Sequence, residues 1–187
     1  MVKGASNKSS VDLDYKEIFQ DPLLKRNLLA CIVVWSMCTF NNYILTFFIR
    51  YFPGNIFENS LCFALSDVFA FMLSGLVLKY TKVVRGYRLA FLISILGAVL
   101  YALFASIPSM LPVFVTLSRI GVTMSFNLGY VSVPKLFPIK VQSTVYAVVN
   151  LFAHIIACLA PIIAELPAPI PHISYLSAIG IALAACS

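Results

Sequence analysis

Six stretches of the chain are apolar over 16 to 24 residues each, with short polar segments between them. They run Leu28–Ile49, Asn59–Leu78, Leu89–Ile107, Met110–Val133, Ser143–Glu165 and His172–Ser187. A helix rises 1.5 Å per residue, so about 20 apolar residues cross the hydrocarbon core of a bilayer. The pattern predicts an all-α integral membrane protein, a bundle of six transmembrane helices covering residues 28–187. The sixth run offers roughly 24 Å of helix against a core of about 30 Å, so the sequence is expected to stop inside a span. Residues 1–14 are rich in Ser, Lys and Asn and read as a mobile polar tail. Residues 15–27 form an amphipathic and basic lead-in, in which Asp21-Pro22 marks a helix start. Pro108-Ser109 reads as a tight turn, and Pro167-Ala168-Pro169-Ile170-Pro171 as a stiff connector.

Composition agrees with this pattern. Hydrophobic residues make up 61% of the 187 residues and charged ones 11%, too few to coat a soluble globule. The formal charge of +6 is distributed by topology. Eleven of the thirteen basic residues precede span one or lie between spans two and three or four and five, which six spans place on one side. By the positive-inside rule, both termini and these loops face the cytoplasm or a matrix equivalent. The expected partners are the lipid bilayer and other membrane subunits, with no nucleic acid. The first apolar run begins only at Leu28, so no cleavable signal peptide is read. The sequon Asn7-Lys8-Ser9 falls on the inner side, where no glycan is expected.

Two charges interrupt the runs. Asp67 lies alone within span two and Arg119 alone within span four. A charge at mid-bilayer costs about 2.5–3.5 kcal/mol on insertion scales, so such residues face a bundle interior and pair. Counting helical rise places Asp67 roughly 12 Å and Arg119 roughly 14 Å below the outer ends of spans two and four. Both spans run the same way, so the charges are level and an ion pair is expected. Arg119, Thr123 and Asn127 share one stripe of span four at i, i+4 and i+8. Gly121, Ser125 and Gly129 form a second stripe suited to close approach of a neighbouring helix. Asn41 and Asn42 on span one, and Asn150 and His154 on span five, are the other polar candidates; Pro161 weakens span five further on.

Enzymatic chemistry is not expected. The sequence has no H-E-x-x-H, no phosphate-binding glycine loop and no nucleophile–base pair outside the spans. Cys31, Cys38, Cys62, Cys158 and Cys186 all lie within spans without a C-x-x-C pair and read as small apolar residues. No cofactor and no metal is implied.

Several segments resemble the C-terminal half, spans seven to twelve, of a major facilitator superfamily transporter of the organic cation and organic anion type. Asp21 through Asn27 (DPLLKRN) is similar to the basic lead-in of that half. Gly75 through Arg88 (GLVLKYTKVVRGYR) resembles the G-x-x-x-D-R-x-G-R-R loop, with Gly75, Lys79, Arg85 and Arg88 at motif positions. Ser118-Arg119-Ile120-Gly121 resembles G-R-x-G. Leu136-Phe137-Pro138 with Lys135 and Gln142 resembles E-L-Y-P-T-x-x-R, and Ala160-Pro161 matches the usual proline of the next helix. The resemblance implies alternating-access transport of small organic ions, with Asn41, Asn42, Thr123, Asn127, Asn150 and His154 as candidates to line the cavity. Departures are concentrated on the inner side. The motif aspartate corresponds to Lys79, the motif glutamate to Lys135 and the motif arginine to Gln142. The network of opposite charges implied by the family cannot form with these residues. Three readings follow: half of a carrier needing a complementary six-span half, a transporter-derived accessory subunit without transport of its own, or a fragment of a longer chain.

Overall fold

The computed structural model describes residues 21–51, 55–104, 110–167 and 170–186. The polar tail, the amphipathic stretch before Asp21 and the Pro108-Ser109 turn lie outside the described residues, as does the middle of the proline connector. The described residues are helical apart from short junctions and carry no strand. We label the helices α1 (Pro22–Phe48), α2 (Ile56–Tyr80), α3 (Val83–Leu103), α4 (Leu111–Leu136), α5 (Gln142–Ala157), α6 (Leu159–Ala164) and α7 (Ile170–Ala185).

The helix ends follow local chemistry. Asp21 accepts a hydrogen bond from the Leu23 N–H at 2.9 Å, and Pro22 takes the first helical position. Helix α1 therefore starts six residues before its apolar run. Asn55 caps α2 in the same way through the Phe57 N–H at 3.0 Å. Helix α4 ends where Phe137 turns extended, ahead of Pro138. The fifth apolar run is split at Cys158 into α5 and α6. Pro161 has no N–H for the Ala157 carbonyl four residues back, and its ring crowds that carbonyl.

Among the described residues, four stretches are long and apolar enough to cross a membrane: Pro22–Phe47, Ile56–Tyr80, Val83–Leu103 and Ile139–Ala164. Their outward stripes are apolar. Leu61, Leu65, Phe69, Met72 and Leu76 are exposed along α2, and Leu89, Leu92, Leu96, Val99 and Leu103 along α3. A continuous apolar surface of this extent is suited to lipid rather than water. Hydroxyls inside the helices are tolerated because they bond back to carbonyls one turn earlier. Thr39 donates to Trp35 O at 2.8 Å, Ser66 to Phe63 O at 2.6 Å and Thr116 to Pro112 O at 2.7 Å.

Helices α1 and α4 form the centre. Helix α4 packs on α3 and α2, α1 packs on α5, α6 and α7, and α1 and α4 touch each other. Helix α3 also meets α7. Exchanging the first three runs with the last three maps this contact pattern onto itself. Packing does not simply follow chain order: runs three and four pack on each other, but run one packs on run five rather than run two, and run four on run two rather than run five.

The small-residue stripe of α4 serves two neighbours. A Cβ at Gly121 would lie 2.5 Å from the Ala90 carbonyl and the Ser94 nitrogen of α3, so the two backbones meet there. Gly97 of α3 approaches Ser118 equally closely from the other side. Further along, Ser125 meets Cys38 of α1 at 3.2 Å, and Gly129 makes room for the Trp35 ring. That ring is held edge-on by Tyr130, 4.7 Å away, and by Tyr146, 6.1 Å away. Pro134 leaves the Tyr130 carbonyl without its helical donor, and the Tyr146 hydroxyl donates to that carbonyl instead.

Candidate functional site

The two lone charges meet where α1, α2 and α4 converge. Helix α2 turns a narrow stripe inward, comprising Asn59, Phe63, Ser66, Ala70 and Ser74, and Asp67 sits on the edge of that stripe. Arg119 lies one turn before Thr123 on α4, and both are buried. The guanidinium is bidentate: Nε donates to Asp67 Oδ1 at 3.0 Å and Nη2 to Oδ2 at 2.9 Å. Thr123 Oγ1 donates a further bond to Asp67 Oδ1 at 2.8 Å. Arg119 Nη1 donates to Thr46 Oγ1 of α1 at 3.1 Å, and Thr46 in turn donates to the Asn42 carbonyl at 2.8 Å. The guanidinium carbon also lies 4.6 Å from the centre of the Phe63 ring. One turn along, Asn127 Nδ2 donates to Ser74 Oγ at 2.6 Å and extends the polar contact between α2 and α4.

Exposure is unequal across the pair. The Arg119 side chain is 10% exposed and that of Asp67 is 29%. Arg119 is enclosed, whereas one edge of the carboxylate opens outward. Oδ1 accepts two hydrogen bonds and Oδ2 one, so Oδ2 keeps the free acceptor direction. A cation or proton reaching the site would compete with Arg119 for this carboxylate. The fork–fork geometry offsets much of the cost of taking both charges out of water.

The remaining candidates divide. Asn41 is buried on α1, and its Oδ1 accepts no hydrogen bond. Asn42 is half-buried beside Thr46. Asn150 is half-buried and donates to the Tyr146 carbonyl of its own helix at 2.9 Å. His154 is exposed on α5 and stands apart from the ion pair. Thr123 and Asn127 are thus drawn into the charged cluster, and Asn150 and His154 are not.

On the basic side, the motif positions do not assemble a charge network. Lys79 lies 5.5 Å from the centre of the Tyr80 ring. Gln142 Nε2 donates to the Phe137 carbonyl at 2.9 Å and closes the loop after α4. Pro138 opens that loop, and Gly75 faces open space. Among the described residues, Arg85, Arg88 and Lys135 take part in no ion pair. The second ion pair among the described residues joins Arg50, after α1, to Glu165, after α6, at the opposite end of the bundle.

The sequence reading passed over two groups. Ser94 Oγ of α3 lies 2.7 Å from the Tyr175 hydroxyl of α7, and Ser118 of α4 donates to the Ser94 carbonyl at 2.9 Å. This fully buried knot ties three helices at the level of Arg119, and the adjacency of Ser118 and Arg119 was its only signal. The other group is the Trp35, Phe126, Tyr130 and Tyr146 ring cluster, whose members are scattered over three apolar runs. No family model matches the chain.

Proposed function

We propose that the chain is one half of an alternating-access carrier for small organic ions, resembling the C-terminal six-span half of a major facilitator superfamily transporter. The observation that carries this reading is the exchange symmetry of the packing. Runs one to three and four to six take equivalent places, with α1 and α4 central. Inverted three-span repeats nested within a six-span half are the architecture of such carriers. Because three is odd, the two units enter the membrane from opposite sides, as an inverted repeat requires. The shorter α7 and the more polar α4 then complete six spans. Helix α4 is able to carry Arg119, Thr123 and Asn127 because its neighbours cover them.

On this reading Asp67 and Arg119 form a gate contact. The opening at Asp67 Oδ2 is where solute or proton binding would weaken the hold of α2 on α4. The other half of the cavity comes from a second six-span bundle. The test is uptake into proteoliposomes. The chain alone is expected to give no saturable uptake of small organic ions. Reconstituted with the six-span bundle that neighbours it in its native membrane, it is expected to give saturable uptake that is lost in Asp67→Asn. Uptake by the chain alone, or none with the partner bundle, contradicts the proposal.

One observation favours a second reading, a transporter-derived accessory subunit. The Asp67–Arg119 pair is internally satisfied, and Lys79, Lys135 and Gln142 replace the residues that would switch an inner network. Under that reading the chain contacts several unlike subunits and moves no solute in any combination.

A further inference from the structure

At the basic end of the bundle, where α1 and α3 begin and α4 and α7 end, the helices part around a cavity of about 420 Å³. That falls within the roughly 300–1,000 Å³ typical of small-ligand sites. Its polar rim is Arg26, Asn27 and Lys135, and its wall is apolar, with Ala30, Val34 and Val83 among its residues. Among the described residues no acidic side chain lines it. Asp21, which precedes α1, is outside the lining and accepts the Leu23 N–H through Oδ1. Among the described residues neither Arg26 nor Lys135 takes part in an ion pair. Two hydroxyls of the lining satisfy each other, the Tyr87 hydroxyl and Ser132 Oγ lying 3.3 Å apart. The first turn of α3 reaches the cavity through Val83 and Val84 and has no side-chain cap, so its amide hydrogens add positive potential.

Depth and chemistry both select the ligand. Arg26 precedes the apolar run that starts at Leu28, and Lys135 follows the one that ends at Val133. The two cations therefore sit at headgroup level, with the apolar wall continuing toward the hydrocarbon. A water-soluble anion would leave that wall in contact with water, and a neutral lipid would leave both cations unmatched. We propose that the cavity holds one anionic phospholipid of the leaflet on the basic side. Its phosphate lies between Arg26 and Lys135, and the head of an acyl chain runs along Ala30, Val34 and Val83. Basic pockets between spans on this side of a membrane are suited to such lipids. The inference rests on the membrane reading of the bundle and is independent of transport.

The test uses the full chain purified in an uncharged detergent. Phosphatidylglycerol, phosphatidylcholine and glycerol 3-phosphate are added separately. Native mass spectrometry counts retained lipid, and thermal unfolding follows stabilisation. Wild type is expected to retain one phosphatidylglycerol in preference to phosphatidylcholine and to ignore glycerol 3-phosphate. Each cation near a lipid surface is worth about fivefold in affinity, so Arg26→Gln with Lys135→Gln weakens retention by about thirtyfold. Lys79→Gln with Lys140→Gln removes equal charge from the same side outside the cavity and leaves retention unchanged. Ala30→Phe fills the wall with both cations in place and abolishes retention, which keeps the test decisive if the double charge variant does not fold. Equal retention of the two lipids, full stabilisation by glycerol 3-phosphate, or equal losses in the two charge variants would overturn the proposal. Alkaline carbonate extraction of wild type scores the membrane reading separately.

Discussion

Neutralising Asp67 strands a buried guanidinium. In Asp67→Asn, Arg119 keeps one acceptor of the two at 2.9 and 3.0 Å and loses its counter-charge while remaining 10% exposed. Breaking a buried pair from one side costs about 3–5 kcal/mol, and the partial opening at Asp67 puts this case near the lower figure, about 3 kcal/mol. Arg119→Met is expected to cost less, about 2 kcal/mol, because the carboxylate it leaves behind is 29% exposed and keeps the bond from Thr123. The double variant buries no charge and is expected to cost only about 1–2 kcal/mol. The singles and the double together then give a coupling energy of about 3–4 kcal/mol, within the range of close charge pairs. Reversible unfolding in mixed micelles with increasing dodecyl sulfate measures all four proteins. Additive losses, with coupling below about 0.5 kcal/mol, would refute the argument that the two charges stabilise the bundle as a unit.

Further outcomes follow from the same contacts. Gly121→Ala places a methyl group against the α3 backbone and is expected to lower stability by about 1–3 kcal/mol, whereas Gly180→Ala, which meets nothing within 4 Å, is expected to raise it by up to about 1 kcal/mol. The same micelle titration ranks the two. Asn41→Leu removes a buried carbonyl that accepts no bond and is expected to leave stability unchanged or raised by about 1 kcal/mol; a loss above that figure would mean the amide holds a needed contact. Glu165→Gln is expected to shift the unfolding midpoint little, about 0–1 kcal/mol, because the Arg50 and Glu165 side chains are 45% and 59% exposed.

The length of the chain's apolar runs made the helices legible, and the scarcity of charge made the site legible. A lone Asp67 and a lone Arg119 have few stable places inside a bilayer, so their depths were enough to bring them together on paper. Thr123 was found with them through its spacing, whereas Thr46 was not, because a threonine on a neighbouring helix carries no signal of direction. The break at Cys158 was foreshadowed by Pro161, whose effect falls one turn earlier in the chain. The division of the small-residue stripe between α3 and α1 was not legible, since helix faces turn against different neighbours along their length. The cavity at the basic end was also beyond reach of the sequence. It is made by four helix ends that are far apart in the chain, and its cations read equally well as topology signals.

The half-carrier account depends on a second bundle against α1, α4 and α5, where Thr46, Tyr130 and His154 are exposed. Photo-crosslinking residues placed at Thr46, Tyr130 and His154, with Leu92 and Leu96 of α3 as the comparison, measure this directly in the native membrane. The account predicts that the first set captures one protein with six apolar spans and the second set captures lipid. Capture of several unlike subunits from both sets would contradict it.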